Sequence, residues 1–238
     1  MRVVVSIGGS VLVPGLSPER VGAYADVVES LDSGGHTLGT VVGGGQTARD
    51  YITTARELGA NEIELDQLGI EVTRLNARLL VAALDDRAAP TPPEDYDTGR
   101  EALRRGDIPV MGGVVAGQTT DAVATALAEH VDADLLVFAT SVPGVFDADP
   151  GQDSDATKFE RMTADELVAL IADSDMNAGS NVPVDLLAAK ILQRSGIPAV
   201  VLDGADPEAV GRAVRTGEHD GTDVVPADGD ATPPAWRD

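Results

Sequence analysis

Short apolar runs rich in β-branched residues alternate along the chain with segments in which apolar residues recur every three or four positions. The first pattern is typical of buried strands, and the second is typical of helices that pack on a sheet. The predicted strands are Val3–Ile7, Thr37–Val42, Ile108–Met111, Leu135–Ala139 and Ala199–Leu202. Because helical patterns separate these strands, the sequence predicts an α/β fold, a three-layer αβα sandwich with a mostly parallel central sheet.

The helix signals lie between the strands. Ser17-Pro18 provides an N-cap with proline at the first helical position, and Gly34-Gly35 ends the same helix. The longest helical pattern covers Glu62–Leu84, and shorter helices are predicted near 46–58, before 105, and over 120–131, 164–172, 184–194 and 207–215. In contrast, Thr140–Gln152 has the proline, glycine and aspartate spacing of an extended finger.

The strand and helix signals continue without a linker, so residues 1–226 are predicted to form one domain. Residues 227–238 are polar and proline-rich, which predicts a disordered tail. Trp236 in this tail could dock on a neighbour, but we expect it to be solvated. The chain has no cysteine, no signal-peptide pattern and no apolar run of the roughly 18 residues that a membrane span needs. We therefore expect a cytoplasmic protein without disulfides.

The charge balance is strongly acidic. Forty acidic residues face seventeen basic ones, a net charge of -23, and Lys158 and Lys190 are the only lysines. Exposed like charges repel over a Debye length of ~8–10 Å in dilute buffer but only ~3 Å near 1 M salt. An acidic surface that aids solubility is the simpler alternative, but this excess favours adaptation to a salt-rich cytoplasm. It also argues against nucleic acid or an anionic membrane as a partner.

Three glycine clusters each follow a predicted strand: Gly8-Gly9-Ser10, Gly43-Gly44-Gly45 and Gly112-Gly113. Glycine lets a ligand approach the backbone, and a following helix presents free N–H groups to a phosphate. A single cluster is explained as well by a tight turn, but several at strand ends favour phosphate binding. Neither the P-loop motif nor the dinucleotide-binding G-x-G-x-x-G motif is present.

Three further features are candidates for chemistry, each with a simpler alternative. Arg49 follows the second glycine cluster and could bind an anion there, although it could also be an ordinary surface arginine. Lys190 lies in an apolar helix, where it could supply a point charge or extend along the surface to solvent. Thr119-Thr120-Asp121 could bind a ligand or simply cap a helix. The histidines lack metal-ligand spacing, and no metal site is predicted.

Taken in order, several segments resemble the archaeal UMP kinases of the amino-acid-kinase family, from Met1 to about Pro226. These segments are IGGSVL, VVGGGQTARDYI, LDQLGIEVTRLNARLL, VMGGVVAGQTTDAVATALAE, ATSVPGVFDADP and VDLLAAKILQRSGI. The resemblance implies an eight-stranded sheet, a homohexamer, an N-terminal part that binds UMP and a C-terminal part that binds ATP. Together with the acidity, it indicates a family member from an extreme halophile.

The resemblance also implies roles for individual residues. ATP phosphates would contact Gly9, Ser10, Gly45 and Arg49, and its adenine and ribose would contact Thr140, Ser141, Phe146 and Asp149. UMP would contact Gly44, Asp66, Val114, Val115, Ala116, Gly117, Gln118, Thr119 and Thr120, with Asp66 at the ribose. The catalytic candidates are Lys190, Asp121 and Arg49: Asp121 would orient the phosphate-binding groups, and Lys190 would neutralise the transferred phosphoryl.

The implied reaction is ATP + UMP → ADP + UDP with Mg²⁺, in pyrimidine nucleotide biosynthesis. Three positions depart from the family pattern: Ser6 replaces a common lysine, Pro143 lies in the finger, and 179–183 opens the helix of Lys190 differently. Two alternatives remain open. One is a sister kinase acting on a carboxylate, a carbamate or an isoprenoid phosphate, and the other is a non-catalytic nucleotide-binding or storage protein.

Overall fold

The computed structural model describes residues 1–84, 86–176, 183–227, 232, 233 and 236. Within these residues seven strands form one sheet, in the order β3-β2-β1-β4-β6-β7-β5. The strands are β1 Arg2–Ile7, β2 Thr37–Val42, β3 Val110–Met111, β4 Leu135–Thr140, β5 Arg161–Thr163, β6 Ala199–Asp203 and β7 Thr222–Val225. All neighbouring strands are parallel except β6 and β7, which are antiparallel.

Helices cover both faces of the sheet. In the described residues they are α1 Gly9–Leu12, α2 Pro18–Ser33, α3 Gly45–Glu57, α4 Glu62–Ala83, α5 Tyr96–Arg105, α6 Thr120–His130, α7 Ala164–Met176, α8 Leu186–Ser195 and α9 Pro207–Thr216, with a 3₁₀ turn at Pro14–Leu16. None of these helices has both the length and the apolar character to cross a membrane.

Side chains at the helix starts explain where the helices begin. Ser17 Oγ accepts the backbone N–H of Arg20 at the start of α2. Asn61 and Glu64 form a reciprocal capping box at the start of α4, which satisfies two N–H groups that have no partner within the helix. These caps are local in sequence, and the predicted starts of both helices are confirmed.

The two faces of the sheet form separate cores. Val3, Val5 and Ile7 of β1 pack with α2 and α9, whereas Val4 packs with α6 and α8 on the other face. Successive side chains of a strand point to opposite faces, so a strand buried on both sides is apolar at nearly every position. The predicted αβα sandwich with a mostly parallel sheet is confirmed.

The edges of the sheet differ from the predictions. The resemblance implied eight strands, but beside β3 the described chain has only one bridge, between Ala88 and Ile108. Pro90 follows this bridge and lacks the N–H that would extend the pairing. The strand predicted to begin at Ile108 begins at Val110 instead, because Pro109 also cannot donate. The short strands β5 and β7 were not predicted.

The end of the chain makes one defined contact. Trp236 is partly buried against the core, and its Nε1 donates to the Val214 carbonyl of α9 at 3.3 Å. A Cβ at Gly217 would lie 2.8 Å from the indole, so glycine is needed beside it. The expected solvated position of Trp236 is therefore wrong. Most of 227–238 lies outside the described residues, and the disordered tail stays a prediction.

Charge gives a prediction about salt. We expect the melting temperature to rise when KCl increases from about 0.1 M to above about 1 M, because screening shortens the repulsion between acidic side chains. Circular dichroism would measure this, with sucrose at matched osmolality as the control for solvent exclusion. A melting temperature that stays flat or falls in KCl would contradict halophilic adaptation.

Candidate active site

Two glycine turns meet at the carboxyl ends of β1 and β2. A Cβ at Gly9 would lie 2.6 Å from the carbonyl carbon of Gly43, and a Cβ at Gly45 would lie 2.6 Å from the carbonyl carbon of Gly9. Gly45 also has φ +64°, a left-handed conformation that glycine adopts without strain. No side chain fits at either position. The two predicted phosphate-binding turns therefore form one continuous backbone surface.

The second turn is held from behind by α4. Asn76 is buried, and its Nδ2 donates to the carbonyls of Gly43 at 2.9 Å and Gly44 at 3.2 Å. A Cβ at Gly44 would collide with Ala48 in the first turn of α3. With these carbonyls occupied, the free N–H groups at the start of α3 remain for an anion. Sequence analysis missed Asn76, whose signal is a polar residue on the buried stripe of α4.

Arg49 lies over the same surface. Its Nη2 is 3.1 Å from Ser10 Oγ, and its Nε and Nη2 contact Gln46 Oε1 at 3.2 and 3.0 Å. The guanidinium has no carboxylate within ion-pair distance among the described residues. The structure therefore brings together Gly9, Ser10, Gly45 and Arg49, the set that the family resemblance implied, and the guanidinium is free to bind an anion. Their contact with ATP stays a prediction.

The third glycine turn and the loop after it pack on α4. Thr73 Oγ1 accepts the N–H of Gly113 at 2.6 Å, and a Cβ at Gly112 would lie 2.5 Å from the same oxygen. Asp66 Oδ2 accepts the N–H of Gly117 at 2.8 Å. The predicted contacts Asp66 and Gly117 are therefore adjacent, and Thr73 is a supporting residue that sequence analysis missed.

The rest of this loop runs from Val114 to Thr120. Val115 is exposed, Ala116 is half-buried, and Gln118 Oε1 accepts the hydroxyl of Tyr96 at 3.0 Å. Thr119 Oγ1 accepts the N–H of Ala122 and so begins α6. The loop therefore joins the third glycine turn to the start of α6 and passes beside Asp66. The side chains of Val115 and Ala116 are accessible to a ligand.

Asp121 lies in the first turn of α6 and faces β1. The Ser6 hydroxyl donates to Asp121 Oδ1 at 2.8 Å. The Asp121 pKa is raised from 3.8 to about 6: desolvation raises it most, the hydrogen bond from Ser6 lowers it, and the Asp185 carboxylate raises it by a smaller amount. Ser6, where the family commonly has lysine, thus makes a direct contact with the predicted orienting residue.

Asp185 ties the starts of two helices together. Its Oδ1 accepts the N–H groups of Leu187 at 2.7 Å and Ala188 at 3.1 Å, which caps α8. Its Oδ2 accepts the hydroxyl of Thr119, the cap of α6. Sequence analysis missed Asp185, although an aspartate directly before an apolar helix is an N-cap signal.

Lys190 is not brought into contact with these groups. It is exposed on α8. The side chains about one turn further along form hydrogen bonds to neighbouring helices, Gln193 to Asp165 of α7 and Arg194 to Glu129 of α6. The Lys190 ammonium has no hydrogen-bond partner among the described residues. Its catalytic role stays a prediction, and the segment 177–182 before it lies outside the described residues.

The predicted donor side is an irregular finger after β4. Thr140 Oγ1 accepts the N–H of Val142 at 3.0 Å, and Phe146 forms an antiparallel bridge with Lys158. Asp149 binds within its own turn, to Gly151 N at 2.8 Å and Gln152 Nε2 at 2.8 Å, while Ser141 is exposed. The extended, non-helical finger is confirmed.

A cleft of about 390 Å³ opens beside the finger, with Pro143 and Leu202 in its walls. Three aspartates also line it, Asp203, Asp206 and Asp220, together with His219 and with Arg212, which is paired with Asp206. Carboxylates repel phosphates but accept hydrogen bonds from hydroxyl and amino groups. The cleft therefore suits the sugar and base of a nucleotide, and the glycine turns suit its phosphates. Among the described residues, no three His, Asp or Glu side chains are grouped to hold a metal ion.

Comparison with known proteins places this arrangement in a family. The family model described as "Amino acid kinase family" matches residues 1–203. Uridylate kinase from Haloarcula marismortui is 72% identical over 95% of this chain and 99% of its own length, and that from Halobacterium salinarum is 66% identical over 100% and 99%. The crystal structure of uridylate kinase from Archaeoglobus fulgidus superposes with a TM-score of 0.86, at 43% identity, over 94% of this chain and 100% of that one. This chain belongs to the amino acid kinase family.

Proposed function

We propose that this chain is a UMP kinase that transfers the γ-phosphoryl group of ATP to UMP, giving ADP and UDP. The main observation behind this proposal is that Arg49 lies over two closely packed glycine turns. Although the chain has a net charge of -23, Arg49 has no carboxylate partner among the described residues, so it is free to bind a phosphate. Relatives at 72% and 66% identity over nearly their whole length are uridylate kinases, which supports UMP as the acceptor.

On the acceptor side, the UMP phosphate would lie at Gly44 and the start of α6. The loop 114–120 would surround the nucleoside, with Asp66 at the ribose hydroxyls. Asp66 Oδ2 already accepts Gly117 N–H, which fixes the carboxylate and leaves Oδ1 for a hydroxyl. This explains how one residue can both order the loop and bind the sugar.

On the donor side, the triphosphate of ATP would lie on Gly9, Ser10 and Gly45, beneath Arg49. The adenosine would occupy the cleft beside Thr140 and Ser141, with Phe146 and Asp149 further along the finger. Mg²⁺ belongs to this proposal as an ion that arrives with the phosphates, because Mg²⁺ is usually held by substrate phosphates and few protein groups. When bound, it would neutralise phosphate charge.

Transfer itself requires positioning and charge stabilisation more than covalent chemistry. Backbone N–H groups of the glycine turns and the Arg49 guanidinium supply fixed positive ends around the phosphates. Asp121 acts as a positioning residue: it holds Ser6, and Asp185 with Thr119 fixes the neighbouring helix starts. No general base is needed, because the UMP phosphate is ionised at neutral pH.

Lys190 is included in the proposal as a charge on the transferred phosphoryl. We expect Lys190→Gln to lower turnover by about 10²-fold or more with little change in the KM for UMP, the effect of losing one transition-state donor. Steady-state kinetics with Gln193→Ala, one turn away on the same helix, as the control would measure it. Wild-type turnover in Lys190→Gln would remove this residue from the mechanism and leave the glycine turns and Arg49.

The Asp66 contact predicts a choice between sugars. A hydrogen bond to a charged group contributes ~1.5–3 kcal/mol, so dUMP should be roughly 10- to 100-fold worse than UMP in kcat/KM. Asp66→Ala should lower activity with UMP and largely remove that preference. Glu62→Ala, at an exposed position on the same helix, should keep it. An equal loss for both substrates, with the preference intact, would exclude a ribose contact.

The test of the function is ADP formation with ATP and Mg²⁺ at high salt, across UMP, CMP, AMP and acetylglutamate. The proposal expects UMP to be strongly preferred. Preference for another acceptor would indicate the sister kinase. Nucleotide binding without time-dependent ADP formation would indicate the binding or storage protein.

We further propose that the chain assembles as a homohexamer in the cytoplasm and acts in pyrimidine nucleotide biosynthesis. Large apolar side chains exposed on α3, at its C-cap and on α4 support self-association: Tyr51, Leu58, Ile63, Leu75 and Leu79. Light scattering of the wild type and of Leu75→Glu/Leu79→Glu would measure the assembly. An unchanged mass in that variant would exclude this face of α4 as the contact.

A further inference from the structure

Three arginines lie close together at the opposite edge of the sheet. Arg2 begins β1, Thr37 begins β2, Arg100 and Arg104 are one turn apart on α5, and His130 ends α6. These residues line a cavity of about 350 Å³. Because the parallel strands start here and end at the glycine turns, the cavity is separated from the candidate active site by the height of the sheet.

Most of the N–H donors of these arginines have no carboxylate partner among the described residues. In the part of the chain that the structure describes, the Arg2 guanidinium donates only to the backbone carbonyls of Val131 and Asp132. Arg104 has neither an ion pair nor a hydrogen bond among the described residues. Arg100 Nη2 bonds to Asp97 Oδ1 at 3.0 Å, but its Nε is buried without an acceptor.

Three carboxylates lie near these arginines and leave most of their donors open. Asp132 lines the cavity but forms no ion pair among the described residues, and Asp134 Oδ2 accepts only the backbone N–H of Arg2 there, at 2.7 Å. Asp97 is exposed and is shared between Arg100 and His130, whose Nε2 is 3.1 Å away. Elsewhere in the described chain, arginines are typically paired with a carboxylate, namely Arg56, Arg74, Arg87, Arg105, Arg194, Arg212 and Arg215. In a chain with forty acidic residues, a cavity that gathers three arginines beside one aspartate is therefore a candidate site for an incoming anion.

We propose that this cavity is a second anion-binding site, which takes a small molecule carrying phosphate groups. A buried donor without an acceptor is costly, and a guanidinium fork matches the oxygens of a phosphate. The volume lies at the lower end of the range of small-molecule sites, roughly 300–1,000 Å³, and suits a ligand of diphosphate size. Thr37 would add a hydroxyl to the set. This site is independent of the proposed kinase reaction.

The test is calorimetric titration of the full-length protein with inorganic pyrophosphate in KCl. All variants carry Arg49→Gln, so that the glycine turns contribute least to the signal. We expect pyrophosphate to bind Arg49→Gln, and the addition of Arg104→Gln to weaken binding roughly 10-fold or more, the loss of one charge-assisted contact. Addition of Arg100→Gln should weaken it similarly. The matched control is Arg105→Gln, on the same helix but paired with Asp107 and outside the cavity.

Three results would overturn the proposal. Pyrophosphate affinity could be unchanged by Arg100→Gln and Arg104→Gln, or reduced equally by Arg105→Gln, which would show only general attraction to cations. The third result is dissociation of the assembly by Arg104→Gln without a change in affinity, which would assign the cavity to an acidic side chain of a second copy. Circular dichroism melting confirms that each variant is folded, and failure of the kinase assay would leave this titration unaffected.

Discussion

Alanine at Gly9 is expected to reduce ADP formation from ATP and UMP by at least about 10²-fold, since a displacement of about 1 Å at reacting groups costs roughly that much. Its Cβ would lie 2.6 Å from the carbonyl carbon of Gly43, so the two glycine turns must separate. Forcing a methyl group into a packed site also costs ~1–3 kcal/mol. Initial rates and a urea titration of the same preparation would measure both effects.

The matched control is Gly22→Ala in α2. Nothing lies within 4 Å of a Cβ at Gly22, so alanine fits there. Alanine is favoured over glycine in a helix by ~0.8–1 kcal/mol, and this variant should be slightly more stable with normal activity. If Gly9→Ala retained wild-type rates, the contact between the turns would not be needed for phosphate binding.

Asp121→Asn is expected to lose most of the activity but to gain stability near neutral pH. The pKa of Asp121 is raised from 3.8 to about 6, so the folded state binds this proton more tightly than the unfolded state does. Protonated Asp121 therefore makes its full contribution to the free energy of unfolding below about pH 4, and this contribution is lost as the pH rises to about 6. At pH 7 the ionised carboxylate costs up to about 3 kcal/mol, at ~1.4 kcal/mol per pKa unit.

Asparagine keeps the shape and an oxygen for the Ser6 hydroxyl, but it cannot ionise. Between about pH 4 and 6 we expect the melting temperature of the wild type to fall relative to that of Asp121→Asn. Above about pH 6 the difference between the two melting temperatures should stay constant. Ser6→Ala removes a hydrogen bond that lowers the Asp121 pKa. In this variant the fall in melting temperature should therefore extend to higher pH. Parallel pH dependence of the wild type and Asp121→Asn would show that Asp121 is not the titrating group.

Features that depend on neighbouring residues were predictable from the sequence. The start of α2 follows from Ser17 and Pro18, and the strands β1 and β2 follow from apolar runs that end in glycine. The glycine turns of the candidate site were predictable for the same reason, because parallel strands deliver their carboxyl ends to one edge. The position of Arg49 beside the second glycine turn was predictable because it lies within one or two helical turns of Gly45.

Features that depend on distant residues were not predictable. Asn76 is thirty-three positions from Gly43, and Asp185 is sixty-six from Thr119, so no local pattern connects them. The strands β5 and β7 are short and depend on pairing with each other and with β6. Arg2, Arg100 and Arg104 likewise meet only because the sheet brings the start of the chain beside α5.

The contact between Trp236 and α9 affects what fluorescence can report. Trp236 is the only tryptophan in the chain, and its environment is set by Gly217 and the Val214 carbonyl rather than by the central sheet. Emission will therefore change when the carboxyl-terminal segment detaches, even while the sheet remains intact. A fluorescence melt would therefore give the temperature at which Trp236 leaves α9, and circular dichroism would be needed to follow the sheet.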